Sequence, residues 1–66
     1  MNLREVIKAR RKVLDISQQD LAEMSGISLP TVKDIERGLA NPSLSTISKL
    51  LDVLGMEIVY RVRQKI

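Results

Sequence analysis

The sequence predicts a mainly helical fold, with four helices followed by a C-terminal β-strand. Apolar residues recur at helical spacing in four successive segments between residues 2 and 54. Ser, Gly and Pro stand at the boundaries between these segments, where they cap or end helices. After Gly55 the apolar period changes to two, the period of a strand. The 66-residue chain is therefore predicted to form a helical domain over residues 1–55 and a strand over residues 56–66.

The first helix is predicted over residues 2–14, because charged residues separate its apolar ones at helical spacing. Those apolar positions are Leu3, Val6, Ile7, Val13 and Leu14. Asp15 and Ile16 end the helix. Asp tolerates the left-handed backbone conformation that suits a helix end.

The second helix is predicted over Gln18–Met24, with Ser17 as its N-cap. Asp20 follows Ser17 by three residues and completes an approximate capping box. Ser25 and Gly26 close the helix. Because Gly adopts a positive φ without steric cost, Gly26 lets the chain turn sharply into the next segment.

The third helix is predicted over Leu29–Arg37, with Ser28 as its cap and Gly38 as its end. Pro30 fits there because the first helical turn has no intrahelical use for the missing N–H. A loop over residues 39–42 then leads to a fourth helix that Ser43 caps. The apolar stripe of this helix consists of Leu44, Ile47, Leu50, Leu51 and Leu54.

Composition argues against an enzyme and against a metal or cofactor site. The chain has no Cys and no His, the usual source of nucleophiles, bases and zinc ligands. Paired carboxylates such as Asp20 and Glu23 fit a catalytic role poorly, because both are predicted on an exposed helix face. No apolar run has the ~20 residues of a membrane span and no secretory leader is evident, so we expect a cytoplasmic protein.

The charge distribution is uneven and basic overall, with a net charge of +3 and a pI near 9.7. Residues 1–12 carry five bases and one acid, residues 13–60 three bases and seven acids, and residues 61–66 three bases. A basic excess favours a polyanionic partner. A solvated basic surface gives the same pattern, so charge alone leaves both interpretations open.

The pattern from Gln18 to Ile35 indicates two helices joined by a tight turn. Counted from Gln18, the fifth position is the small Ala22, the ninth is Gly26, and the fifteenth and eighteenth are Val32 and Ile35. A small residue lets the two helices cross closely, and Gly makes the turn. The last two residues anchor the third helix so that its other side faces outward. An ordinary helical corner is the alternative.

These residues make the sequence resemble the phage-repressor helix-turn-helix family of lambda repressor and Cro, also called the XRE family. The resemblance covers residues 3–55. Its matching positions are Arg11, Ile16–Ala22, Gly26–Ser28, Thr31–Gly38 and Asn41–Ile47. Two residues depart from the family pattern: Asp15 stands where Gly is usual, and Arg10 where an apolar residue is common. Neither departure threatens the lambda repressor-like four-helix DNA-binding fold that the resemblance implies.

The resemblance also implies roles for individual residues on double-stranded DNA. The third helix of the family enters the major groove, while the second crosses the backbone. The implied base-reading residues are Ser28, Leu29, Pro30, Lys33 and Asp34. The implied phosphate-binding residues are Gln18, Thr31, Arg37 and Asn41. Arg11 and Glu36 resemble the family's structural pair. A solvated helix face remains the alternative for Lys33 and Asp34, and a role as helix starter for Gln18.

The predicted strand needs a partner strand, and no other segment of the chain has a period of two. Its alternating residues are Met56, Ile58, Tyr60 and Val62, with Val59 breaking the alternation. Because unpaired strand edges are unstable, the same strand of a second copy is the simplest partner. We therefore predict a homodimer joined through these residues. A frayed tail is the alternative.

The predicted function is a sequence-specific transcriptional regulator, in particular a repressor that binds a palindromic operator as a homodimer. Short repressors with a dimerising C-terminal strand also resemble HipB-type antitoxins, which bind a partner toxin protein as well as DNA. This antitoxin role is the alternative function.

Overall fold

The computed structural model describes residues 2–64 and contains four α-helices. They are α1 (Leu3–Val13), α2 (Gln18–Ser25), α3 (Leu29–Arg37) and α4 (Leu44–Val53). The helical part of the predicted fold is confirmed, with each boundary within one residue of its predicted position. No helix in this part of the chain has both the length and the apolar composition needed to cross a membrane.

Polar side chains begin all four helices. Ser17, Ser28 and Ser43 adopt extended backbone angles and accept a hydrogen bond from the backbone N–H three residues later. Asn2 does the same for α1. At α2 the predicted capping box is complete, since the backbone N–H of Ser17 donates to Asp20 at 2.9 Å. These caps satisfy N–H groups that have no acceptor within the helix.

A residue with a positive φ follows each of the four helices and reverses the chain direction. Asp15 adopts φ 54° after α1, so Asp occupies the conformation for which Gly is usual. Gly26 adopts φ 74° after α2, and a Cβ atom placed there would meet nothing within 4 Å. Backbone conformation, and not lack of space, therefore favours Gly at this turn.

One hydrophobic core lies between the helices. α2 packs against both α3 and α4, and α1 packs against α3. The buried apolar residues are Ile7, Leu21, Ala22, Val32, Ile35, Leu50, Leu51 and Leu54. Because α2 has contacts on two sides, it fixes the position of α3 relative to the rest of the domain.

The end of α1 departs from the predicted apolar face. Ile7 is fully buried, whereas Val13 is 72% exposed and Leu14 is 40% exposed. Val13 follows Ile7 by six positions, which places Val13 about 120° around the helix from the buried side. Apolar spacing alone therefore assigned too much of α1 to the core.

The tail, residues 56–64, continues from α4 without further helix. Met56 and Ile58 are half-buried and pack against the core, while Tyr60 is 78% and Val62 is 90% exposed. Residues 2–64 contain no strand in the single chain. Because a strand requires a pairing partner, the predicted strand and its pairing remain a prediction. Lys65 and Ile66, the last residues of that prediction, lie outside the described residues.

Candidate nucleic-acid interface

The α2–α3 unit is held by hydrogen bonds within its connecting turn. The N–H of Gly26 donates to the carbonyl of Ala22 at 3.0 Å, and the Ser25 hydroxyl donates to the same carbonyl at 3.3 Å. The N–H of Ile27 donates to Ser25 Oγ at 3.2 Å. Ala22 is 6% exposed, as its predicted place at a close helix crossing requires. These bonds fix the backbone of the turn that joins α2 to α3.

The inner side of α3 is anchored by two apolar residues and one charged residue. Val32 is 1% and Ile35 3% exposed, and both belong to the core. Glu36 lies beside them and is only 4% exposed. A buried carboxylate is costly unless charged or polar donors surround it.

Arg11 of α1 supplies most of those donors. Its Nε and Nη2 donate to the two carboxylate oxygens of Glu36 at 2.9 Å each. Its Nη1 donates to the carbonyl of Ile16 at 3.0 Å. The hydrogen bonds to Glu36 raise the pKa of Arg11 above its usual value, although burial opposes that change. Arg11 therefore joins α1, the turn after it and α3 through one guanidinium group.

Gln18 completes this cluster at the first residue of α2. Its Nε2 donates to Glu36 Oε1 at 3.3 Å. The residue implied to contact phosphate thus directs its side-chain amide toward Glu36 in the free protein. The first-turn N–H groups of a helix have no intrahelical acceptor, so the start of α2 can still donate backbone hydrogen bonds to an anion.

The outer side of α3 carries Pro30, Lys33 and Arg37, which are all exposed. Their spacing of three and then four residues places them along one helix face. That face lies opposite the buried residues of α3. It presents two cations on a helix whose inner side is fixed by the core.

Asp34 lies at the side of this outer face and contacts Arg37. The Asp34 Oδ1 and Arg37 Nη2 atoms are 3.5 Å apart, and both side chains are about half exposed or more, at 48% and 61%. Such an exposed pair is weak. Arg37 can therefore exchange this carboxylate for a phosphate at small cost.

The start of α3 places the remaining implied base-reading residues. The Ser28 hydroxyl donates to Thr31 Oγ1 at 2.8 Å, while the Thr31 N–H donates to Ser28 Oγ at 3.4 Å. Leu29 is half-buried and packs against the core, so only part of its side chain is available for contact. Asn41 is exposed in the loop between α3 and α4. The site thus comprises residues of α2, α3 and that loop.

Sequence inspection missed the structural roles of two arginines of α1. Arg10 Nε donates to the carbonyl of Leu54 at 2.9 Å, just past the end of α4. Arg4 Nη1 donates to the carbonyl of Arg37 at 3.4 Å, at the end of α3. The carboxyl end of a helix attracts cations. The basic excess of α1, together with an α4 whose last turn has no base, was the available signal.

Fold and site together define a helix-turn-helix protein: two packed helices joined by a tight turn, the second with a cationic outer face. Comparison with known families agrees. A family model described as helix-turn-helix matches residues 7–61, most of the chain.

Individual relatives lie in the same class. An uncharacterized HTH-type transcriptional regulator of Haemophilus influenzae is 43% identical over 53 residues, which are 80% of this chain and 53% of that protein. The immunity repressor protein of Bacillus phage phi105 is 40% identical over 58 residues, 88% of this chain and 40% of the repressor. An uncharacterized HTH-type transcriptional regulator of Methanothermobacter thermautotrophicus is 34% identical over 55 residues, 83% of this chain and 80% of that protein.

The chain belongs to the XRE-type helix-turn-helix family, a class of DNA-binding transcriptional regulators. The family that its sequence resembles is thereby confirmed. The chain spans about half the length, or less, of the first two relatives.

Proposed function

We propose that this protein is a sequence-specific regulator that binds double-stranded DNA in the cytoplasm and acts as a repressor by occupying an operator. The carrying observation is the outer face of α3, where Lys33 and Arg37 are exposed on a helix anchored by Glu36 and the core. A rigid cationic helix suits entry into the major groove. The likeness to a phage immunity repressor supports repression as the regulatory outcome.

Base recognition falls to the start and outer face of α3, at Ser28, Leu29, Pro30, Lys33 and Asp34. Lys33 donates to O6 and N7 of a guanine, while Asp34 accepts from N4 of a cytosine. The apolar Pro30 and the accessible part of Leu29 contact a thymine methyl group. Because Asp34 also contacts Arg37, its position depends on where Arg37 lies.

Phosphate contacts flank the base-reading face and come from Gln18, Thr31, Arg37 and Asn41. These residues lie at the start of α2, on α3 and in the following loop. Arg37 is the strongest of them, because it carries a full charge and its only side-chain ion pair among the described residues is exposed. Arg11 and Glu36 serve as the scaffold beneath them.

The tail completes the proposal by joining two copies. Met56, Ile58, Tyr60 and Val62 dimerise the protein through paired strands, and the last two are largely exposed in the single chain. A twofold dimer presents two copies of α3. Its operator is then a near-palindrome with half-sites about 34 Å apart or a multiple of that distance.

Affinity measurements on substituted proteins test the division of roles. Lys33→Ala should weaken binding to the operator by about 1 to 3 kcal/mol and relax preference at one base pair of each half-site. Gln18→Ala and Arg37→Ala should weaken specific and random duplexes to a similar degree. Fluorescence anisotropy at fixed salt measures the affinity of each variant for the operator duplex and for a random duplex.

Lys49→Ala is the matched control, since Lys49 is an exposed lysine of α4 outside the α2–α3 unit. It should leave base preference unchanged. If Lys33→Ala and Lys49→Ala affect both duplexes equally, α3 does not read bases through Lys33.

The exposed apolar tail also supports a second function, that of an antitoxin that binds a partner toxin protein as well as its operator. Tyr60 and Val62 offer apolar contacts that another protein can cover as well as a second copy can. A toxin gene beside this one, and copurification of its product with the full chain, would favour this function. Replacement of both residues by Ser should then abolish copurification.

A further inference from the structure

The tail holds an arrangement of charges that fits a second copy of the same segment in one register. Glu57 is the only acid in residues 56–66, and Arg61 follows it by four residues. Val59, which breaks the alternation of the strand, lies midway between them. It is 72% exposed in the single chain. The position of Val59 is the feature that the proposed dimer leaves unexplained.

The end of α4 determines where the tail becomes available for pairing. The N–H of Met56 donates to the carbonyl of Leu51 at 2.9 Å, and that of Gly55 to Asp52 at 3.2 Å. Gly55 adopts φ 71° at this helix end. The N–H of Met56 is thus engaged by the helix, and backbone pairing with another chain starts at Glu57.

Symmetry restricts the registers open to two copies of this tail. Directly opposed residues of antiparallel strands point to the same face of the sheet, and residues of one strand share a face only at even separation. In a dimer with its twofold axis perpendicular to the strands, each residue therefore opposes itself or a residue an even number of positions away. Registers in which opposed residues are an odd number of positions apart in sequence are therefore excluded.

Among the remaining registers, one pairs every residue from 56 to 62 with a compatible partner. With Val59 on the axis, Val59 opposes its own copy and Glu57 opposes Arg61 on the same face. On the other face, Met56 opposes Val62 and Ile58 opposes Tyr60. With the axis moved to Ile58, Val59 would oppose Glu57. With the axis moved to Tyr60, it would oppose Arg61. Cross-strand pairs of opposite charge and of apolar residues stabilise antiparallel strands.

Burial in the single chain agrees with this register. Met56 and Ile58 pack against the protein's own core, whereas Tyr60 and Val62 extend beyond it. The partner's Tyr60 and Val62 then cover Ile58 and Met56, and the reverse contact forms at the other core. The first half of each tail therefore packs against its own domain, and the second half packs against the domain of the other copy.

We propose that residues 57–61 of this chain pair with the same residues of a second copy in antiparallel register, with Val59 on the twofold axis and two ion pairs between Glu57 and the partner subunit's Arg61. The proposal rests on the dimer put forward under the proposed function and adds its register. Two ion pairs on one face flank an apolar centre, which sets both the direction and the alignment of the strands.

Single cysteine substitutions test the register, because the chain has no Cys of its own. Only the residue on the axis lies opposite its own copy, within the Cα distance of about 4.4 to 6.8 Å that a disulfide requires. Under mild oxidation of the full chain, Val59→Cys should form the covalent dimer at least about tenfold faster than Ile58→Cys or Tyr60→Cys. Faster crosslinking by either control, or equal rates for all three, overturns the register.

Charge exchange tests the ion pairs independently. Glu57→Arg and Arg61→Glu should each weaken the dimer about tenfold by creating like-charge contacts, and the double variant should restore the wild-type dissociation constant to within about threefold. Combining Glu57→Arg with Arg63→Glu is the matched control and should restore less. Analytical ultracentrifugation at low salt measures each constant. A double variant as weak as its parents contradicts the pairing.

These outcomes separate the register from the proposed dimer. A wild-type chain that stays monomeric at every concentration overturns the dimer and the register together, without bearing on base recognition by Lys33. A wild-type dimer that crosslinks through another residue overturns the register alone.

Discussion

The helical domain, residues 3–55, and the tail, residues 56–64, differ in which side chains they bury. The domain buries a charged residue, whereas the tail exposes apolar ones. In the domain, the charged Glu36 is buried with three side-chain hydrogen bonds, and no buried side-chain nitrogen or oxygen of the described residues lacks a partner. In the tail, the apolar Val59, Tyr60 and Val62 are 72%, 78% and 90% exposed. The domain pairs its buried polar groups within the chain and also exposes apolar residues such as Val13 and Leu39. In the tail, three exposed apolar residues lie within four positions, a surface that suits another molecule.

The largest effect is expected at the buried pair in the domain. Glu36→Ala leaves the guanidinium of Arg11, whose side chain is 13% exposed, with only its bond to the carbonyl of Ile16. The free energy of unfolding should fall by about 3 kcal/mol, because an uncompensated buried charge is costly. Urea denaturation followed by circular dichroism measures this loss.

The exposed pair of α3 is the control for that experiment. Asp34→Ala removes a carboxylate that lies 3.5 Å from Arg37 with both side chains about half exposed. Stability should change by no more than about 0.5 kcal/mol. Equal losses for Glu36→Ala and Asp34→Ala would show that burial of the Glu36 network does not matter.

The next largest effect is expected on self-association through the tail. Tyr60→Ser combined with Val62→Ser should weaken self-association about 30-fold, or about 2 kcal/mol, because it removes apolar area buried between two copies. The same change should leave helix content and protomer stability unchanged at concentrations below the dimer dissociation constant. Sedimentation velocity and circular dichroism measure the two properties. A destabilised protomer with unchanged association would assign both residues to the domain instead.

A smaller effect is expected where the domain meets the tail. Arg10→Ala removes a hydrogen bond of 2.9 Å to the carbonyl of Leu54 and should lower the free energy of unfolding by about 1 kcal/mol. Lys12→Ala removes an equal charge from an exposed site on α1 and should change stability by less than about 0.5 kcal/mol. Matching thermal denaturation curves for the two variants would rule out a specific role for Arg10.

The smallest effect is a dependence on acid at the start of α2. The Ser17 backbone N–H, and then the Ser17 side chain, lower the pKa of Asp20 below its usual value. Because the folded state binds this proton more weakly than the unfolded state, the contribution of Asp20 is complete above about pH 4 and is lost as the pH falls through the lowered pKa. Asp20→Asn should therefore flatten the stability profile below about pH 4. If the unfolding midpoints of wild type and Asp20→Asn decline in parallel across that range, Asp20 makes no such contribution.

The comparison of the two regions also explains what the sequence could predict. The helix caps form hydrogen bonds to residues three positions away, so the local sequence is enough to predict them. These caps include Ser17, Ser28 and Ser43. The contact of Arg10 with Leu54 spans 44 positions. Local spacing carries no information on such a contact, and the family pattern, which favours an apolar residue there, pointed elsewhere.

The candidate site divides in the same way. Helical spacing was enough to place Lys33 and Arg37 on the outer face of α3, opposite Val32. It could not foresee that Leu29 packs partly against the core or that Gln18 directs its amide to Glu36, since both depend on how separate helices meet. The proposed pairing of the tail involves a second molecule, and contacts within one chain do not determine it.

Recognition of DNA by α3 is tested by selecting bound duplexes from a random pool at stated salt, with wild type and Lys33→Ala in parallel. We expect wild type to enrich a near-palindrome with half-sites about 34 Å apart, or a multiple of that distance. Lys33→Ala should enrich the same motif with its preference lost at one base pair of each half-site. Enrichment of no motif by wild type, or of an identical motif by the variant, would contradict recognition of DNA through the outer face of α3.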